Sequence, residues 1–213
     1  MLSRKGRPLA QVLFGPIARA CVKAGISADA ITIIGTCATV ILSLTLLPTN
    51  HILIGAILIA VVVIFDNLDG QIARLTGTAS PWGAFLDSTL DRVADGAIFA
   101  GLLAWAYLHA AETTKPWLLV SLLAALILGS VVPYARARAE SVGVEAAVGI
   151  AERADRIVII GLSTILVGAG LSEWILVIAA SYLALASCVT IVQRMACVWR
   201  EKKAPATGET TEE

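Results

Sequence analysis

The stretch HILIGAILIAVVVIFDNLDGQIARLTGTASPWGAFLDSTLDRVAD, residues 51–95, decides the fold. Residues 52–65 carry no charged side chain, and five aspartates then fall between residues 66 and 95. The apolar run, continued to about residue 73, is long enough to cross the ~20-residue hydrocarbon core as a helix. A carboxylate inside such a segment is costly and marks function. Asp66 and Asp69 are three apart, and Asp87, Asp91 and Asp95 are spaced by four. Each set therefore lies on one helix face. The short connection from Gly77 to Pro81 makes the two helices antiparallel neighbours, so their acidic faces converge. Converging carboxylates repel unless divalent cations neutralise them, and all-oxygen ligation favours Mg²⁺ or Mn²⁺.

The rest of the chain is of the same kind. Of 213 residues, 58% are hydrophobic and 15% charged, with mean hydropathy +0.84, too apolar for a soluble domain. Sixteen basic residues balance sixteen acidic ones, so net charge argues for no partner and no nucleic acid is expected. The four cysteines, Cys21, Cys37, Cys188 and Cys197, form no CxxC pair and suggest neither zinc nor a disulfide framework. The basic start Arg4-Lys5-Arg7 is not followed by an apolar core with a cleavage site, so no signal peptide is expected.

The expected fold is all-α and polytopic. Residues 9–25 alternate apolar side chains with Arg19 and Lys23 at helical spacing, which predicts an amphipathic helix lying in the interface, and Ser27 or Asp29 caps the helix that follows. Six transmembrane spans are expected at about 30–48, 51–73, 81–110, 116–140, 153–170 and 172–198. Residues 1–200 then form a single membrane domain, and residues 201–213 a disordered cytoplasmic tail. Lys and Arg cluster at the N-terminus, at Arg74, around Arg136, Arg138, Arg153 and Arg156, and at the C-terminal end, whereas the opposite connections hold only Lys115. Both termini and the aspartates are thus expected on the cytoplasmic side of a bacterial inner membrane.

Gly70 and Gly83 interrupt the helices beside the carboxylates, at ~1 kcal/mol each relative to Ala. Either close approach of a large ligand or close helix contact through small residues explains them. Arg74 pairs with an aspartate or with a substrate phosphate. Ser80 either caps the helix begun by Pro81 or offers its hydroxyl to a nucleotide. Carboxylates inside spans also suit a metal-ion or proton-coupled transporter, which leaves the interleaved Gly and Ala-Arg positions unexplained.

Asp66, Asp69, Gly70, Ala73, Arg74, Gly83, Asp87 and Asp91 match every defined position of D-x-x-D-G-x-x-A-R-x8-G-x3-D-x3-D. The chain thereby resembles the CDP-alcohol phosphotransferase family. The likeness extends to Gly15-Pro16-Ile17-Ala18-Arg19, Asp29 to Thr32, Arg136 to Glu140, Glu152 to Arg156 and Gln193-Arg194. In that fuller form it is similar to the actinobacterial branch that makes phosphatidylinositol phosphate. That resemblance implies a homodimer of six-helix protomers with a two-metal site opening to the cytoplasm. It implies Asp66, Asp69, Asp87 and Asp91 as metal ligands, with Asp91 also taking the acceptor's proton. Asp29, Thr32, Gly70, Ala73, Arg74 and Ser80 would line the site for CDP-diacylglycerol.

Arg136, Arg138, Arg153, Arg156 and Arg194 sit at cytoplasmic helix ends, where guanidinium forks suit a phosphorylated acceptor. The resemblance selects Arg136, Arg156 and Arg194 as the phosphate grip, with Arg138 and Arg153 nearby. The implied acceptor is 1L-myo-inositol 1-phosphate, with CMP released; the rival is glycerol 3-phosphate, giving phosphatidylglycerophosphate. Asp95 lies outside the motif and is expected to pair with a neighbour such as Arg92.

Overall fold

A computed structural model describes residues 15–17, 19–66, 68–150 and 153–203. Residues 9–14 and 18 of the expected interfacial helix, the tail from residue 204, Asn67, Ala151 and Glu152 lie outside the described residues. Residues 15–17 and 19–23 are helical. The named helices are α1 (Ala28–Leu46), α2 (Ile52–Asp66), α3 (Leu68–Thr76), α4 (Pro81–His109), α5 (Lys115–Ser141), α6 (Arg153–Gly168) and α7 (Trp174–Lys203). No strand occurs among the described residues, so the protein is all-α there, as expected.

Local chemistry sets the helix starts. Ser27 caps α1, its Oγ accepting from the Ala30 amide at 3.2 Å. Ser80 caps α4 by accepting from the Gly83 amide at 3.1 Å, and Pro81 occupies the first turn, where its missing N–H costs nothing. Burial of apolar faces then assembles the bundle. Phe99 and Leu102 of α4, Leu118 and Leu122 of α5, Ile160 of α6 and Leu183 of α7 meet in one core. Helices α1 and α4 lie side by side, as do α5 and α7.

One end of the bundle is tied by its turns. Asn50, at φ 63 between α1 and α2, accepts from Trp105 Nε1 at 3.0 Å, and the His109 ring lies 2.8 Å from the Pro48 carbonyl. Glu173, before α7, accepts from the Ala111 amide at 3.1 Å and from the Thr114 hydroxyl. The aspartates and arginines singled out by the sequence collect at the opposite end.

Ile34, Ile41, Val120, Ile127, Leu185 and Val192 point outward from the helices, an apolar exterior that belongs in lipid. Four helical stretches are long and apolar enough to cross a membrane on those grounds alone: Ala28–Leu46, Ile52–Thr76, Lys115–Ser141 and Trp174–Glu201. The other two expected spans fall short for different reasons. α4 carries Asp87, Asp91, Arg92 and Asp95 in its first half, and α6 has only 16 residues.

Candidate active site

α2 ends on Asp66, and α4 brings Asp87 and Asp91 beside it on successive turns. One carboxylate oxygen from each of the three lies within 4.8 Å of the others. Asp66 Oδ1 is buried with no hydrogen-bond partner among the described residues, against Gly35 of α1, where a Cβ would come within 2.7 Å of it. A buried acceptor without a donor, in an all-oxygen set, fits a hard divalent cation. Asp69, the fourth expected ligand, lies on α3 and is not within that three-carboxylate group. Its Oδ2 accepts from the Thr32 hydroxyl at 2.7 Å and its Oδ1 from the Gly70 amide.

A cavity of about 200 Å³ opens beside Asp69 and Asp87. Asp29, Thr32, Gly70, Ala73, Arg74 and Ser80, the six residues expected at the nucleotide end, all line it. Asp29 accepts from Trp82 Nε1 at 3.1 Å, which joins α1 to α4 across its rim. The atoms nearest a Cβ built on Gly70 belong to Arg74, at 3.5 Å, and those nearest one on Gly83 are Ser80 Oγ and Asp29 Oδ1, at 3.6 and 3.8 Å. Both glycines therefore face this cavity and not a packed helix, which favours the ligand-approach reading of their cost. Ser80 serves as cap and cavity wall together.

On the other side of the carboxylates lies a polar cavity of about 370 Å³. Arg136 of α5, Arg153 and Arg156 of α6 and Arg194 of α7 line it, together with Val132 and Pro133 of α5, Arg92 of α4 and the 147–149 loop, with no acidic residue among the described residues of its wall. Arg138 is not in that wall; its guanidinium donates to Ser141 Oγ at 3.2 Å. Arg156 and Arg194 are almost wholly buried. Arg156 donates to the Gly129 carbonyl at 2.9 Å and lies 5.6 Å from the centroid of the Phe99 ring. Arg194 donates to the Val148 carbonyl at 3.0 Å and to the Val132 carbonyl.

Asp95 pairs with Arg153 at 3.4 Å and Arg156 at 3.6 Å, and not with Arg92 as the local spacing suggested. Arg92 is 3.6 Å from Asp91 instead. The reason is geometric: α6 lays two cations along the inner face of α4, and a buried carboxylate takes partners from across the bundle. Arg92 was missed as a cavity residue because, read along the chain, it is one cation among carboxylates. Its position directly after the last motif aspartate was the available signal.

These features have relatives. The family model described as CDP-alcohol phosphatidyltransferase matches residues 26–205. The chain is 43% identical over 183 residues to the phosphatidylinositol phosphate synthase of Mycobacteroides abscessus, covering 86% of this chain and 82% of that protein. It is 41% identical over 209 residues to the synthase of the same name from Mycolicibacterium smegmatis, covering 92% and 90%. Two crystal structures of the Mycobacterium tuberculosis phosphatidylinositol phosphate synthase are similar to it at 38% identity. The one in complex with manganese and citrate has a TM-score of 0.80 over 86% of this chain and 88% of that one. The one with CDP-DAG bound has a TM-score of 0.79 over 86% and 92%. A metal-dependent enzyme is thus what the carboxylate cluster and its two cavities amount to, and the chain belongs to the CDP-alcohol phosphatidyltransferase family.

Proposed function

We propose that this enzyme makes phosphatidylinositol phosphate, transferring the phosphatidyl group of CDP-diacylglycerol to 1L-myo-inositol 1-phosphate and releasing CMP. The observation that carries the choice of acceptor is the wall of five arginines beside the cluster, in a cavity that shares no lining residue with the Asp29–Ser80 cavity. A phosphomonoester is matched by guanidinium forks, whereas free inositol carries no charge for them to engage.

In this reading Asp66, Asp69, Asp87 and Asp91 hold two Mg²⁺ ions, with Mn²⁺ able to replace them. Ions held there would supply charge neutralisation to the diphosphate and to the departing CMP. Asp29, Thr32, Gly70, Ala73, Arg74 and Ser80 hold the cytidine end of the donor. Arg136, Arg153, Arg156 and Arg194 grip the acceptor phosphate, with Arg138 contributing from outside the cavity wall. Asp91 takes the proton from the attacking hydroxyl. The new bond forms between that oxygen and the phosphorus bearing diacylglycerol, and the bond from that phosphorus to the oxygen of CMP breaks, with the electron pair leaving on CMP. In-line placement of the two substrates on either side of the carboxylates lowers the barrier by orientation.

The same reading sets the surroundings. Residues 1–200 form one domain with an interfacial helix and six spans, α4 and α6 included, in the bacterial cell membrane. The termini and both cavities face the cytoplasm, where the basic helix ends are retained. The protein works as a homodimer.

Purified enzyme in nanodiscs, given labelled CDP-diacylglycerol and either inositol 1-phosphate, inositol or glycerol 3-phosphate, tests the proposal. Product is expected with inositol 1-phosphate alone, and only when a divalent metal is supplied. A preference for glycerol 3-phosphate or for free inositol would overturn the acceptor.

A further inference from the structure

Residue 133 interrupts α5 with a proline, well inside a helix that runs from Lys115 to Ser141. In a regular helix the amide of residue 133 donates to the carbonyl of residue 129. Proline has no such amide, so the Gly129 carbonyl is released. It does not go unused: Arg156 of α6 donates Nη1 to it at 2.9 Å. Residue 129 is itself glycine, and a Cβ there would overlap the Arg156 guanidinium. The two residues of α5 thus lack complementary things, one a donor and the other a side chain, and the same guanidinium occupies the result.

A freed carbonyl in a membrane helix needs some donor, and a hydroxyl or a water would serve. This carbonyl takes a cation that is only 3% exposed. Arg156 is held on two other sides, by Asp95 at 3.6 Å and by the Phe99 ring at 5.6 Å. Its plane is therefore fixed, while its Nε has no hydrogen-bond partner among the described residues and its side chain lines the polar cavity. A guanidinium fixed in this way loses little further freedom when it meets a phosphate.

We propose that Gly129 and Pro133 are a positioning pair, whose missing side chain and missing amide seat Arg156 so that it is preorganised for the phosphate of the acceptor. The inference rests on the acceptor reading above. Both act through Arg156: Gly129 is not in the cavity wall, and for Pro133, which does line it, an Arg156→Lys background separates this role from any direct contact with the acceptor.

Pro133→Ala is the deciding variant, because it returns the amide to the Gly129 carbonyl and changes nothing on Arg156. Replacing a mid-helix proline favours the helix, so melting temperature should hold or rise. The seat is weakened, and KM for the phosphorylated acceptor should rise about fivefold, roughly 1 kcal/mol at ~1.4 kcal/mol per decade. KM for the CDP-lipid and Mn²⁺ affinity should stay within about twofold, and in an Arg156→Lys background the proline change should add less than about twofold, since the seat has lost its occupant. Gly129→Ala should act more strongly in the same direction, and where it fails to fold Pro133→Ala decides alone.

An unchanged acceptor KM in a stable Pro133→Ala enzyme overturns the pair, and so does an equal rise in both substrates' KM. Wild type inactive with every phosphorylated acceptor would instead overturn the proposed function. Wild type active with inositol 1-phosphate but insensitive to Pro133→Ala overturns only the seat.

Discussion

Arg153 of α6 grips Asp91 of α4 at 2.7 Å, and Arg92 approaches the other oxygen of the same carboxylate at 3.6 Å. Asp91 therefore faces two cations while also belonging to the three-carboxylate cluster. A divalent ion at the cluster competes for it with Arg153, and what Arg153 gives up on one side it can offer to an acceptor phosphate on the other. Arg153→Gln should accordingly move two binding measurements in opposite senses. Mn²⁺ affinity, read by electron paramagnetic resonance, should strengthen by about threefold to tenfold, or ~0.7–1.4 kcal/mol. KM for inositol 1-phosphate should rise. Both moving the same way would refute the competition.

The cluster itself is tested by neutral isosteres. Asp66→Asn, Asp87→Asn and Asp91→Asn each remove a charge without changing shape, and Asp69→Asn tests the fourth expected ligand. Each should cost at least about a hundredfold in transfer, since outer partners of metal ligands alone are worth roughly tenfold to hundredfold. Excess chelator should abolish activity in the unaltered enzyme. Full transfer by Asp87→Asn would remove the metal assignment.

Gly35→Ala separates stability from function. On helix propensity alone the change favours folding by ~1 kcal/mol. A Cβ at residue 35, however, would press on Asp66 Oδ1 at 2.7 Å and turn the carboxylate out of the cluster. A melting temperature that holds or rises, with Mn²⁺ affinity falling about tenfold, is the expected pair of results.

The donor cavity is small enough for one side chain to block. Gly70→Leu should fill part of its roughly 200 Å³ and raise KM for the CDP-lipid, leaving that for the acceptor near its original value. Ser80→Ala should lower stability by about 1 kcal/mol through loss of the cap. Steady-state kinetics with each substrate varied in turn distinguishes the two substitutions.

Arg136 and Arg138, two residues apart on α5, point to different faces of the helix and differ in role. Arg136 lines the polar cavity and is paired with Glu140 at 2.8 Å, whereas Arg138 donates to Ser141. Arg136→Ala should raise the acceptor KM about tenfold to hundredfold, for loss of a charge-assisted bond worth roughly 1.5–3 kcal/mol. Arg138→Ala should change it far less. Equal effects would mean that the cavity wall does not describe the phosphate grip.

The aspartates were legible in the sequence because they lie on nearby helical turns, where spacing places them on one face, whereas the donor residues, spread over α1, α3 and the start of α4, were expected only through the family resemblance. Asp66, Asp87 and Asp91 meet as that spacing requires. The caps at Ser27 and Ser80 were legible for the same local reason. The partners of Asp95 were not, because Arg153 and Arg156 arrive from a helix about sixty residues later, and no local rule says which face of α6 turns toward α4. Arg92 and the Gly129 carbonyl belong to the same class: each matters through an element that only the tertiary arrangement brings near.

The two helices too polar or too short to qualify as spans by themselves, α4 and α6, are each other's counterions: Asp91 and Asp95 on one face Arg153 and Arg156 on the other. On the proposed six-span topology this has a consequence for biogenesis. α4 emerges from the ribosome well before the arginines that neutralise it, and its carboxylates are unfavourable in lipid until α6 follows. The four autonomous helices can partition into the bilayer as they are made, whereas α4 and α6 are committed together, late, as an ion-paired couple. A chain truncated before residue 153 should therefore leave α4 incompletely inserted, a defect that arises before any substrate is met.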